Sequence, residues 1–100
     1  GTLVREKPFT LRTVRNGRGM LVQGVIDCCF EEDGRMILAD YKSNFIRPDR
    51  QHEAELARIR DEYKVQIELY CEAVEKGMGV KVSEAYLYLF ASGETIDMMK

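Results

Sequence analysis

Three charged residues lie inside otherwise apolar, strand-like runs of this 100-residue sequence. Asp27 belongs to the run "GVIDCCF", and Asp40 and Lys42 belong to the run "RMILADYKSN". Charged side chains are seldom placed in buried strands unless they are paired with an opposite charge or bind a metal ion. The pattern therefore admits two interpretations. One is an exposed ion pair at the end of a strand, and the other is a catalytic metal site.

The turn "EEDG" between the two runs decides which face these side chains share. A two-residue loop places Asp27 directly opposite Asp40 when the pairs are counted back along the hairpin, and a four-residue loop makes them diagonal neighbours. Either even-length loop puts both carboxylates on one face, within about 5 to 8 Å. Only an odd-length loop separates them. Lys42 lies two residues beyond Asp40 and shares its face.

Two carboxylates at that distance repel each other, and a single lysine neutralises only one of them. Mg²⁺ or Mn²⁺ satisfies both, because these ions prefer oxygen ligands and leave other positions to water and to a phosphate oxygen. Such an ion lowers the pKa of a bound water. Lys42 would then orient that water or stabilise charge on the phosphate. This is the chemistry of metal-dependent phosphodiester hydrolysis.

A second polar pair lies in the run "VQIELY". Gln66 and Tyr70 are four residues apart, so a helix places them on one face beside its apolar stripe. A glutamine next to a core stripe needs a partner for its amide, and a tyrosine brings a hydroxyl group that can donate to a phosphate. The alternative is a glutamine at the edge of the stripe and a tyrosine in the core.

Alternating patterns predict the elements that hold these residues. Three strands ("KPFTLRTV", "MLVQGVIDCCF" and "RMILADYKSNF") are followed by a helix that starts at residues 51–55 and ends at Gly77. Its apolar stripe is Leu56, Ile59, Tyr63, Ile67, Tyr70 and Val74. A further strand, "VSEAYLYLFASG", follows, and "ETIDMMK" either returns as a hairpin or frays.

The order β-β-β-α-β predicts an α/β fold with a mixed central sheet. The strand after the helix is expected to pair parallel to a neighbour, because a helical crossover connects parallel strands. One helix covers one face of the sheet and leaves the other bare. A single domain over residues 1–100, cut from a larger chain, is the expected organisation.

Composition narrows the function classes. The hydrophobic fraction of 45% and the charged fraction of 32% indicate a folded globular domain. No apolar run approaches the roughly 20 residues that span a bilayer, no signal peptide is recognisable, and no membrane association is expected. The three cysteines lack ligand spacing, so neither a disulfide framework nor an iron–sulfur cluster is expected, and a reducing cytoplasm is the expected setting. The basic residues near the N-terminus either contact phosphates or form a solvated hairpin.

Taken together, "GVID", "ADYKSN" and "QIELY" resemble the PD-(D/E)XK nuclease superfamily in its RecB-like branch, in which a G-x-x-D strand precedes a D-Y-K strand and a Q-x-x-x-Y helix. "REKPF" is similar to the first strand of that domain, and "EAYLYLFASGE" to the last strand in bacterial AddA-type helicase–nucleases. The resemblance covers nearly the whole chain. It implies a restriction-endonuclease-like core, here without its first helix, and a Mg²⁺-dependent (or Mn²⁺-dependent) DNA exonuclease in double-strand-break repair and recombination.

By that resemblance Asp27 and Asp40 are metal ligands, Lys42 is the catalytic lysine, and the backbone carbonyl of Tyr41 is an additional ligand. The implied partners are DNA and, through the parent chain, an AddB-like protein. The family's first helix adds an acidic or histidine ligand, and nothing here precedes Gly1, so the resemblance is to a truncated domain.

The helix motif of the family supports the site and contacts DNA, which assigns this role to Gln66 and Tyr70. Glu6 matches the acid of the first strand and is expected to support the site. Ser43-Asn44 stands where AddA-like chains often have Thr-Asp, and the cysteine cluster of AddB-like and Cas4-like relatives is absent. Two alternatives remain: a nuclease-fold scaffold or DNA-binding domain without activity, and another RecB-like nuclease such as a phage exonuclease or a Cas4-like protein.

Overall fold

Five strands and one long helix make up the part of the chain that the computed structural model describes, residues 3–46, 48–49 and 51–99. The elements are β1 (Leu3–Arg15), β2 (Arg18–Glu32), β3 (Arg35–Lys42), α1 (His52–Met78), β4 (Val82–Leu89) and β5 (Glu94–Asp97). All five strands form one sheet in the order β1-β2-β3-β4-β5. The pair β3–β4 is parallel and the other three pairs are antiparallel. The predicted mixed α/β sheet with a helical crossover is therefore confirmed.

Some predicted boundaries were wrong. β1 begins at Leu3 rather than Lys7, and β3 ends at Lys42 rather than Phe45. β3 stops there because β4, the strand that it pairs with, ends at the Lys42↔Leu89 pair. Residues 90–93 form a turn instead of extending β4. "ETIDMMK" supplies an additional strand, β5, which adopts the hairpin alternative and pairs with β4.

Two-residue turns set the register of both long hairpins. Asn16-Gly17 and Asp33-Gly34 have φ values of 52° and 74°, and of 53° and 77°. Positive φ at both central residues is the signature of the type I′ turn, which matches the twist of paired strands. The second turn pairs Glu32 with Arg35, as a two-residue loop predicts.

The β1–β2 ladder is interrupted at one position, beside Asp27. Pairing passes from Arg5↔Cys28 to Lys7↔Ile26 and omits Glu6 and Asp27, which face each other in the register. The backbone of Glu6 has a φ of 49°, an unusual value for a residue with a side chain. Ile26 and Cys29 are three residues apart and yet share one core, so β2 changes face at this irregularity.

α1 packs across one face of the sheet with the predicted stripe. Ile59, Ile67 and Val74 are buried in the main core, while Tyr63 and Tyr70 pack at its margin. The helix ends at a left-handed Gly79, whose N–H donates to the Glu75 carbonyl. Such a glycine cap is a common helix stop because glycine adopts positive φ without a steric penalty.

The opposite face of the sheet is open, as the topology predicts. Tyr41 and Tyr88 pack edge to face there, with ring centroids 6.1 Å apart, and remain 47% and 40% exposed. Within the described residues, no helix has the length and apolar composition that a membrane crossing requires.

Candidate active site

The two aspartates meet where β2 and β3 separate. The β2–β3 ladder ends at Cys28↔Ala39, one residue short of Asp27 and Asp40. Asp27 Oδ2 accepts the backbone N–H of Tyr41 at 2.9 Å. A side-chain carboxylate therefore satisfies a strand N–H that the partner strand does not, and this bond holds Asp27 beside β3.

Asp40 is the one charged side chain among the buried residues that the structure describes, with 3% of its surface exposed. Its Oδ2 atom lies 2.9 Å from the Lys42 ammonium group. The approach does not satisfy hydrogen-bond angles, and Oδ2 has no hydrogen-bond partner within the described part of the chain. Buried carboxylate oxygens are normally hydrogen-bonded or bound to a cation. The exposed ion pair proposed as the alternative is therefore wrong.

Electrostatics at Asp40 reflect an incompletely neutralised pair of acids. Burial and contact with the Asp27 carboxyl group raise the pKa of Asp40 to about 6, although the Lys42 ammonium group acts in the opposite direction. Burial disfavours the charged form, and a second carboxylate adds like-charge repulsion. One lysine does not offset both effects, so the pair retains an affinity for further positive charge.

Lys42 is held by the helix as well as by β3. Its ammonium group donates to Gln66 Oε1 at 2.9 Å, and Gln66 Nε2 in turn donates to the Tyr70 hydroxyl group at 3.2 Å. The glutamine amide is thereby oriented with its oxygen toward the lysine. The Gln66 and Tyr70 pair that was inferred from spacing thus lies in the same cluster as the two aspartates and Lys42.

Burial raises the pKa of Tyr70 first, and the nearby Asp40 carboxylate adds to the effect. The hydroxyl group therefore keeps its proton at neutral pH and remains a donor. The Tyr70 ring meets the Phe9 ring edge to face at a centroid distance of 5.2 Å.

Gly24 makes room for this aromatic contact. A Cβ atom at residue 24 would lie 3.0 Å from two carbon atoms of the Phe9 ring and 3.4 Å from Tyr70 Cε1. The glycine of the "GVID" motif thus has a steric reason, because a side chain would displace the rings that position Gln66.

Two predicted site residues lie elsewhere. Glu6 is exposed in its distorted stretch of β1, opposite Asp27 in the register, and no hydrogen bond or ion pair joins it to the cluster among the described residues. The side chain of Tyr41 points to the open face, and only its backbone lies near Asp27. The proposed role of the Tyr41 carbonyl group stays a prediction.

One residue near the site was missed. The Tyr63 ring lies 4.3 Å from the Lys42 ammonium group. Tyr63 was assigned only to the apolar stripe, yet it is three residues before Gln66 and hence on the same helix face. That spacing was the available signal.

The donor set is small for a metal centre. Across residues 3–46, 48–49 and 51–99, no group of three or more His, Cys, Asp or Glu side chains is placed to hold one ion. The unpartnered Asp40 oxygen and the neighbouring Asp27 carboxylate nevertheless match the oxygen preference of Mg²⁺, which commonly binds one or two carboxylates and completes its shell with water and phosphate oxygens.

Curated proteins of bacteria align with most of this chain. In Lysinibacillus sphaericus, the AddA component of an ATP-dependent helicase/nuclease is 43% identical over 95 residues, which are 92% of this chain and 8% of that protein. The proteins of the same name from Thermoanaerobacter sp. strain X514 and Clostridium novyi are 45% and 38% identical, over 76% and 94% of the chain. This chain is homologous to a segment of the AddA helicase/nuclease proteins.

The chain spans only 6 to 8% of the length of these AddA proteins. No family model matches it. The homology covers "GVID", "ADYKSN" and "QIELY" together in the two relatives that align with more than nine-tenths of the chain.

Proposed function

We propose that this chain is the core of a metal-dependent deoxyribonuclease domain in an AddA-type helicase–nuclease, with a PD-(D/E)XK active site. The observation that carries the proposal is the buried Asp40 oxygen without a hydrogen-bond partner, beside a second carboxylate and a lysine. The printed name of the homologues, which combines helicase and nuclease, supports the same function.

The two aspartates would hold Mg²⁺, or Mn²⁺, together with the Tyr41 carbonyl group. The ion, when bound, polarises a phosphate oxygen and lowers the pKa of a water molecule. Asp27 is fixed for this role by its hydrogen bond to the Tyr41 N–H, and Asp40 by its burial in β3.

Lys42 would stabilise the negative charge that develops on the scissile phosphate. Contacts with Asp40 and Gln66 account for two of its three N–H groups and leave one without an oxygen acceptor among the described residues. Charge stabilisation of this kind is effective in a partly buried site, where water screens less. Only 17% of the lysine side chain is exposed.

Gln66 and Tyr70 would support the site from the helix. The glutamine holds Lys42, and the protonated Tyr70 hydroxyl group is placed to donate to a DNA phosphate near the cluster. Glu6, next to the site on β1, keeps the supporting role that the family motif implies.

Several finer features belong to the same proposal. The parent chain would bind ATP and unwind DNA with an AddB-like partner, in the cytoplasm, during double-strand-break repair and recombination. The nuclease would act as an exonuclease. An inactive nuclease-fold scaffold would have the same strands without needing two carboxylates and a lysine at one buried point.

Calorimetric titration with Mn²⁺ separates the enzyme from the scaffold. We expect the full-length protein to bind Mn²⁺ at a site that is lost in Asp40→Asn, which keeps the size of the side chain and removes its charge. Arg58→Gln on the exposed face of α1 is the matched control and should retain the site. Equal Mn²⁺ binding by wild-type and Asp40→Asn protein would contradict the proposal.

A further inference from the structure

The Lys42 ammonium group has a neighbour that the proposed chemistry does not use. Asp40 and Gln66 each approach it to 2.9 Å, and the Tyr63 ring lies 4.3 Å away on the helix side. A cation within about 6 Å of an aromatic ring centroid is attracted to the negative face of the ring. The lysine is therefore bounded by one carboxylate, one amide oxygen and one aromatic face.

These contacts bear on where the lysine can point. A lysine side chain has a flexible four-carbon stem, and its rotamer freedom is worth roughly 2 kcal/mol. Asp40 constrains the ammonium group poorly, because the contact lacks hydrogen-bond geometry. Gln66 alone fixes a distance but not a direction for the remaining N–H groups. The Tyr63 ring supplies a third boundary.

The spacing along the helix places this ring. Tyr63 and Gln66 are three residues apart on α1, so both side chains reach the same strand residue. Tyr63 packs at the margin of the main core, which anchors the ring independently of the lysine. A ring held by the core is a fixed surface against which a mobile cation settles.

We propose that Tyr63 is a positioning residue for Lys42. Its aromatic face confines the ammonium group so that the uncommitted N–H points toward the reacting phosphate. This inference rests on the proposed nuclease function. It requires the face of the ring and not the hydroxyl group, since the ring centroid is what the cation contacts.

The test compares variants of residue 63 in the full-length protein, using single-stranded and linear double-stranded DNA with Mg²⁺. Tyr63→Leu is apolar but has no ring, and kcat for cleavage should fall about 2- to 30-fold, the rate equivalent of a cation–π contact. KM for DNA and affinity for Mn²⁺ should stay at wild-type values. Tyr63→Phe keeps the ring and should recover most of the lost rate.

Controls separate positioning from packing. Tyr63→Met fills the volume without a ring and replaces Tyr63→Leu if that variant does not fold. Val65→Ala, on an exposed part of the same helix, should leave kcat unchanged. Wild-type kcat in both ringless variants would overturn the inference, and so would an equal loss of rate in Tyr63→Phe and Tyr63→Leu. A loss of Mn²⁺ affinity in the ringless variants would also overturn it, because it would show a general collapse of the site.

Lys42→Ala distinguishes a failure of this inference from a failure of the proposed function. If Lys42→Ala abolishes cleavage while the ringless variants match wild type, only the role of Tyr63 is refuted. If Lys42→Ala cleaves DNA normally, the nuclease assignment of the lysine fails, and the role of Tyr63 fails with it.

Discussion

Gly24→Ala should destabilise the fold through a collision that Gly19→Ala does not cause. The added methyl group would lie 3.0 Å from Phe9 Cε1 and Cζ and 3.4 Å from Tyr70 Cε1, whereas a Cβ atom at Gly19 meets nothing within 4 Å. Overfilling a packed site costs about 1 to 3 kcal/mol. Both glycines lie in β2, so alanine brings each of them a similar gain of about 0.5 to 1 kcal/mol from lower backbone entropy in the unfolded chain. The difference between the two variants therefore measures the collision.

Urea unfolding of the 100-residue chain, followed by circular dichroism, provides the measurement. With a denaturant slope of about 2 kcal/mol per molar, the expected difference of about 1 to 3 kcal/mol separates the two midpoints by about 0.5 to 1.5 M. Gly24→Ala should have the lower midpoint. Coincident midpoints would refute the argument that the contact between Phe9 and Tyr70 requires glycine.

A second substitution identifies the colliding group. Phe9→Leu in the Gly24→Ala background removes the two ring atoms nearest the new methyl group and should restore part of the lost stability. The two substitutions should therefore be non-additive, as expected for residues in contact. Additive effects would place the strain somewhere other than the Phe9 ring.

Two further predictions concern polar contacts. Gln66→Leu should lower stability by about 1.5 to 3 kcal/mol and reduce cleavage, because it removes the hydrogen-bond acceptor of the Lys42 ammonium group; Val65→Ala is the urea-unfolding control, and equal midpoints would contradict the contact. The hydrogen bond to Glu94 raises the pKa of His52, so this pair stabilises the fold fully below the pKa that histidine has in the unfolded chain, and the contribution is lost as pH rises through the folded pKa. Since His52 is the single histidine, its NMR titration reports the shift directly, and Glu94→Gln should return the pKa toward its ordinary value; an unchanged titration would contradict the pairing.

Much of the fold was predictable because its signals are local. Asn16-Gly17 and Asp33-Gly34 each specify a two-residue turn, and this fixes the hairpin register and hence the proximity of Asp27 to Asp40. The apolar stripe of α1 and the crossover to β4 follow from periodicity and connection length. The end of β3 was not predictable, because it depends on where its parallel partner stops.

The site was predictable in outline but not in its contacts. Strand parity brought the two aspartates and Lys42 together, yet the β2–β3 separation at Asp27 and the distorted backbone of Glu6 have no signature in the sequence. Tyr63 resembled an ordinary stripe residue, because periodicity does not distinguish a ring that packs on the core from one that also borders a charge.

The most direct test of the central claim is a separation of activities in the full-length protein in complex with its partner. Asp40→Ala should abolish Mg²⁺-dependent cleavage of linear DNA, because it removes the buried carboxylate that lacks a hydrogen-bond partner. ATP hydrolysis and strand unwinding should persist at wild-type rates, which also shows that the protein remains folded. Cleavage retained at the wild-type rate in Asp40→Ala would contradict the assignment of this cluster as the nuclease site.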